Sequence, residues 1–204
     1  MRLGAITAGV VLAAALGPAR AQQATSGSEA QRLLQGASDP GDFVDVSAAG
    51  FISLKHKPSG LICQFGSDPQ GNVLHASPGG VVCETAGAME LDTIEAFRMP
   101  KATEADVQDA ISRVMGPFRD GQPVSGFTDT PSDRPGAPAH VSRRFVAATR
   151  NGDQVFVRIA YSQVGGWFVL QRVISTPGAA RLADSDGERR LLAEIGQVMD
   201  GQKR

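Results

Sequence analysis

Residues 140–176, HVSRRFVAATRNGDQVFVRIAYSQVGGWFVLQRVIST, constrain what this chain can fold into more than any other stretch. They hold the only Trp, the only Tyr and three of the nine Phe, and they read as three consecutive β-strands joined by two short turns. Val155, Val157, Ile159 and Tyr161 alternate with Phe156, Arg158 and Ala160, the period of a pleated strand. Asn151-Gly152 and Gly165-Gly166 supply the reversals, because a tight hairpin turn needs positive φ at its centre and Asn and Gly tolerate that best. With an even number of residues in both loops, opposed residues share a face. One face then carries Val146, Ala148, Val155, Val157, Ile159, Tyr161, Phe168, Leu170 and Ile174, and is the expected core. The other mixes Phe145, Phe156, Trp167, Val169 and Val173 with Arg143, Arg158 and Gln171, and is apolar enough to require partial cover.

Two helices can provide cover. Thr103–Met115 opens on a capping Thr with Glu104 and Asp106 in its first turn, and it stops at Gly116-Pro117. Val107, Ala110, Ile111, Val114 and Met115 fall on one stripe at helical spacing. A second helix is expected over Asp186–Asp200 with Leu191, Leu192, Ile195, Val198 and Met199 as its stripe, weakened at Gly196 by about 1 kcal/mol relative to Ala. The segment 43–99 reads as further strands, with a turn at Pro58-Ser59-Gly60. Glu90, Asp92 and Glu95 interrupt the alternation over 89–98, which predicts a β-bulge. Phe127–Ala139, with Pro131, Pro135 and Pro138, reads as a loop crossing an edge of the sheet. The expected fold class is α+β: a twisted antiparallel β-sheet with two packed amphipathic helices and one disulfide.

The first 21 residues have the pattern of a secretory signal: Arg2 ahead of an apolar run at Ile6–Leu16, then Ala19-Arg20-Ala21 as a small-x-small cleavage site. The apolar run is about a dozen residues, well short of the roughly 20 a membrane-spanning helix needs. No transmembrane anchor is therefore expected after signal removal. Residues 22–42 are polar and read as a flexible lead-in with a short helix at Ser28–Gln35, leaving 43–204 as a single α+β domain. With 42% hydrophobic residues in 204, that domain can bury a core of its own. Removing Arg2 and Arg20 leaves 18 basic against 21 acidic residues, net −3, with no long basic run, which argues against nucleic acid as a partner. The expected location is periplasmic or secreted.

Cys63 and Cys83 are the only cysteines, and export would place them where thiols oxidise. A disulfide between them would stabilise the fold by roughly 3 kcal/mol on the chain-entropy estimate and pin the 66–80 loop. His56, Cys63, His75 and Cys83 are all metal-ligand types. Their separations lack the close pairs of a zinc site, so no metal is expected. No catalytic serine motif, metalloprotease helix or phosphate-binding glycine loop is present, and no cofactor is implied.

The least ordinary feature lies in the three-strand segment. Arg144 and Arg172 are expected on the face of Ile159, toward one end of an apolar surface. An arginine there needs a carboxylate or carbonyl partner. Either an acid from a helix supplies it, or the planar donor fork receives an anionic ligand. Trp167, beside Gly165-Gly166, is a second candidate contact, as either a loop-tip aromatic or a core residue. Arg144, Arg172 and Trp167 are thus the candidate ligand-binding residues, and none is assigned a catalytic role.

His56-Lys-Pro-Ser-Gly-Leu-Ile-Cys-Gln-Phe65, with Cys83 downstream, resembles a segment of exported proteins from Caulobacter-type alphaproteobacteria. In those, His-Lys-x-Ser-Gly-x-x-Cys-x-Phe precedes a second Cys; the resemblance implies export and no particular activity. In element order alone, 103–200 is similar to the PsbP-like fold, whose members are mostly non-catalytic binding modules. The expected function is an exported module of the cell envelope that binds a protein partner or small ligand without catalysis. The alternative is an envelope hydrolase with a His/carboxylate site around His56 and His75.

Overall fold

The structure, a computed structural model, describes residues 18–48, 51–66, 68–77, 79–87 and 90–203. Residues 1–17 of the expected leader lie outside the described residues. The first described element is helix α1 (Pro18–Gly36), longer than the Ser28–Gln35 helix read from the sequence. It buries Ala30 and Leu33, so the 22–42 stretch, expected as a flexible lead-in, contributes to the core. No described helix is long and apolar enough to cross a membrane.

Among the described residues, ten strands form two antiparallel sheets. A small sheet has the order β1 (Phe43–Asp45), β2 (Ile52–His56), β3 (Ile62–Phe65). The large sheet contains β4 (Val73–Ser77), β5 (Gly80–Ala86), β6 (Glu90–Arg98), β7 (Arg119–Pro123), β8 (His140–Ala148), β9 (Gln154–Val164) and β10 (Trp167–Ser175), in the order β4-β5-β6-β10-β9-β8-β7. The three strands read first, β8, β9 and β10, form consecutive pairs within it. Between β9 and β10 the two-residue Gly165-Gly166 turn has both φ values positive, 53° and 83°. The Cys63–Cys83 disulfide, with Cα atoms 5.7 Å apart, ties β3 of the small sheet to β5 of the large one.

The β8–β9 register departs from expectation. Ala148 pairs with Gln154, so five residues separate the strands, and Asn151-Gly152 sits inside that loop and not at the centre of a two-residue turn. Thr149 organises it: its N–H donates to the Asp153 carbonyl, and its own carbonyl accepts from Gly152. An odd loop exchanges the faces of one strand. Phe145 opposes Val157 and joins the Ile159 face, while Val146 opposes Phe156 and Arg144 opposes Arg158 on the other. Arg144 and Arg172 therefore lie on opposite faces of the sheet, since Arg172 opposes Ile159.

Both faces are covered. Helix α2 (Glu104–Met115) is fixed by a reciprocal capping box between Thr103 and Asp106, and packs Val107, Ile111 and Val114 against Val157, Ile159, Phe168 and Leu170. Helix α3 (Ala180–Gly201) lies on the opposite face, where Leu191, Ile195 and Val198 meet Ala160 and Val169, with α1 and the small sheet completing that layer. Helix α3 begins six residues before the position read from the sequence, because the 3-10 turn Pro177–Ala179 leads straight into it. No bulge interrupts β6: its register with both neighbours is continuous through Glu95. The acids that break its alternation are paired instead, Glu95 with Arg113 of α2 at 3.0 Å and Asp92 with Arg190 of α3 at 2.7 Å. Strand β7, RDGQP, has no apolar alternation and was not expected. It is exposed throughout and edges the sheet.

Candidate functional site

A guanidinium with no exposed surface organises the face under α3. Arg158, in the middle of β9, is 0% exposed. A charge so placed must be paired and hydrogen-bonded to persist. Its Nη1 donates to Gln171 Oε1 at 2.6 Å, and its Nη2 to Ser142 Oγ at 3.0 Å and to Glu188 Oε2. Its Nε lies 3.3 Å from Asp184 Oδ1. Arg144, directly across on β8, donates from Nε to the same Asp184 oxygen at 2.6 Å, so one carboxylate bridges two guanidiniums.

Glu188 is the second hub. Its Oε1 accepts from the Thr130 N–H at 2.7 Å and lies 2.8 Å from His140 Nε2. Burial would raise this carboxyl. The His140 hydrogen bond, the Thr130 amide and the Arg158 charge outweigh burial and hold it down at about 2. Desolvation is also the largest influence on Arg158, and there it prevails over Glu188 and Asp184, lowering the guanidinium's affinity for its proton. For the less buried Arg144, Asp184 and Asp129 win against desolvation and raise it.

A buried polar cluster of different character lies further along α3. Burial pushes Glu194 up to about 8, reinforced by the neighbouring Asp92 charge and opposed by Arg190 and Arg158. Burial likewise raises Asp92 to about 6. Glu194 Oε2 and Asp92 Oδ1 accept no hydrogen bond among the described residues.

The connection 124–139 straps this face from β7 to β8. Phe127 stacks on Phe156 with ring centroids 5.4 Å apart, under the guanidiniums of Arg144 and Arg181. Asp129 Oδ1 lies 2.8 Å from Arg144 Nη1, and its Oδ2 accepts from the Ser142 N–H at 3.1 Å. Arg134 pairs with Asp200 near the end of α3. A depression of about 430 Å³ opens between the strap and α3, walled by Thr128, Thr130, Asp184, Ser185, Glu188, Arg189 and Leu192. A second, of about 290 Å³, lies on the strap's other side against Phe127, Arg143, Arg144 and Phe145.

Asp129, His140 and Glu188 place three ligand-type atoms within 4.8 Å of one another. Arg144 lies against Asp129, and Arg158 and the Thr130 amide donate to Glu188. The group is therefore an ion-pair network as it stands, and the adjacent guanidiniums oppose an added cation.

The structure does not bring the three candidate ligand-binding residues together. Arg144 is buried in the network just described. Arg172, on the other face, donates to Thr93 Oγ1 at 2.8 Å and Glu84 Oε2 at 3.1 Å. Trp167 is 3% exposed, with Arg98 over its ring at 5.4 Å and His56 edge-on at 5.9 Å, so it is a core residue and not a loop-tip aromatic. His56 is buried with Nδ1 2.8 Å from Ser59 Oγ, while His75 is exposed on β4. Sequence reading missed Asp184, Glu188 and Asp129. The available signal was the spacing 184, 188, 191, 195, which carries two acids onto the apolar stripe of α3 opposite a strand with a central arginine.

No protein-family profile and no curated protein matches this chain. A solved structure that is similar belongs to a Pseudomonas aeruginosa protein of unknown function, PA94. It shows 10% identity and a TM-score of 0.36 over 64% of this chain and 88% of that one, too distant to bear on fold or function.

Proposed function

We propose that this protein is an exported, non-catalytic module of the cell envelope, periplasmic or secreted, that binds a protein partner or small ligand. The signal-like N-terminal sequence supports export, and the disulfide suits an oxidising compartment. The observation that carries the binding reading is the state of Asp184 and Glu188, the acids walling the 430 Å³ depression. Each is clamped by guanidinium, and Glu188 is held at about 2 by its donors. Such a carboxylate is a poor general base at neutral pH, and its donors fix a framework against which a partner can dock.

The test is expression in a bacterial host followed by fractionation and assay. The expected outcome is protein outside the cytoplasm, beginning at Gln22, that binds a ligand or partner without turnover. Retention in the cytoplasm with an intact N-terminus would overturn the export part. A hydrolase reading at residues other than the His56 and His75 expected from the sequence draws on one specific observation, the His140–Glu188 contact at 2.8 Å. Ester or peptide turnover by purified protein, abolished in a folded His140→Ala variant, would replace the binding reading with that one.

A further inference from the structure

The strap carries its own anion. Backbone pairing along this edge of β8 ends with the Val124 N–H donating to the Arg144 carbonyl at 2.9 Å, and beyond it the Ser142 N–H is met by the side chain of Asp129. The same carboxylate reaches Arg144 with its other oxygen. One backbone N–H and one guanidinium thus converge on a single carboxylate, the donor set that recognises a ligand oxyanion. The fit is imperfect. Asp129 Oδ1, 2.8 Å from Arg144 Nη1, is buried yet accepts no aligned hydrogen bond. The 290 Å³ depression, lined by Ser142, Arg143, Arg144 and Phe127, adjoins this seat. A bend and a turn bracket the part of the strap that bears Asp129. Gly126 and Gly136 flank it with φ of 87° and 75°, and neither has anything within 4 Å of where a Cβ would stand, so they are required by conformation and not by packing.

We infer that Asp129 is an internal pseudo-ligand, and that the Arg144–Ser142 seat takes a small carboxylate-bearing ligand which displaces its side chain. Arg144 keeps its Nε on Asp184 throughout, so the fork stays aimed while Nη1 changes partners. This rests on the binding-module reading and names the ligand class for it. A tethered carboxylate competes at high effective concentration, so an external one binds the intact protein weakly.

The test is titration of the ¹⁵N-labelled protein with acetate, following the Ser142 amide, in the wild type, Asp129→Ala, Asp129→Asn and Asp129→Ala/Arg144→Lys. Both single variants should bind acetate at least ~10-fold more tightly than the wild type, as expected when an internal competitor is removed. In Asp129→Ala the Ser142 resonance should move on binding. The double variant keeps the positive charge but not the fork, and should lose the gain. Affinity in the single variants equal to wild type overturns the inference, as does a gain that survives Arg144→Lys. Inorganic phosphate is run in parallel, and a gain with phosphate but none with acetate overturns the carboxylate assignment. Failure here leaves export and absence of turnover to stand or fall on their own assays.

Discussion

Replacing Glu194 by Gln should make the protein more stable, by an amount that grows with pH. The carboxyl is buried and its pKa is pushed up to about 8 from an ordinary 4.5, with desolvation the main cause. Asp92 on β6 adds repulsion, and Arg190 of α3 and Arg158 of β9 only partly offset it. A raised folded-state pKa means the folded protein holds a proton that the unfolded chain has released. Stability from this group is therefore greatest below pH 4.5 and falls as pH rises toward 8. At pH 7 the difference is roughly 2.5 units, or about 3 kcal/mol at 1.36 kcal/mol per unit. Gln has the shape of the protonated acid and cannot ionise, so Glu194→Gln should be near neutral at pH 4.5 and stabilising by about 3 kcal/mol at pH 7. For a domain of this size that corresponds to roughly 6–12 °C in melting temperature. Asp92, itself raised to about 6 by burial, ionises while Glu194 is still protonated and should therefore keep its position in the variant. Urea unfolding at pH 4.5, 6, 7 and 8, wild type against variant, measures the effect. A stability gap that stays constant across that range, or a variant weaker than the wild type at pH 8, refutes the reasoning.

Glu188 should show the opposite sign in a separate window. Its folded pKa of about 2 contributes stability above pH 4.5 that is lost as pH falls toward 2, so Glu188→Gln should flatten the acid limb of the unfolding profile; an unchanged limb counts against the network. Reducing Cys63–Cys83, which closes a 20-residue separation, should cost roughly 3 kcal/mol, and a melt indifferent to reductant would contradict that. Arg172→Ala removes a partly buried pair with Glu84 and Thr93 and should destabilise by about 1–2 kcal/mol, whereas Arg189→Ala removes a side chain that is 76% exposed and should lie within ~0.5 kcal/mol of wild type. Equal effects in chemical denaturation would undo that ranking.

Where a local signal decided structure, the sequence could be read closely. Thr103 and Asp106 bound α2 through their own side chains, Gly165-Gly166 set a register that holds along all of β10, and two cysteines found each other. Asn151-Gly152 misled because the same dipeptide serves a two-residue turn and a five-residue loop, and the choice lies with Thr149 and Asp153 outside it. The resulting one-residue shift in register moved Arg144 to the other face and with it the whole candidate site. The apparent bulge in β6 was a second misreading of the same kind: acids that break an alternation pattern were answered by arginines on two different helices. The pairing within the site was hard to read for a further reason. Arg158 and Glu188 stand 30 residues apart, and nothing local to either names the other.

Helix α3 follows every strand of both sheets in the chain, yet it supplies both acids that Arg158 requires, and its Gln197 accepts the Ile62 N–H of the small sheet at 2.9 Å. A growing chain thus holds the guanidinium on β9 before its counter-charges have been made. Closing that face early would bury an unpaired cation, which is prohibitive. The sheet is therefore kept from completing its core until α3 arrives, so the last helix of the chain decides when this face can close.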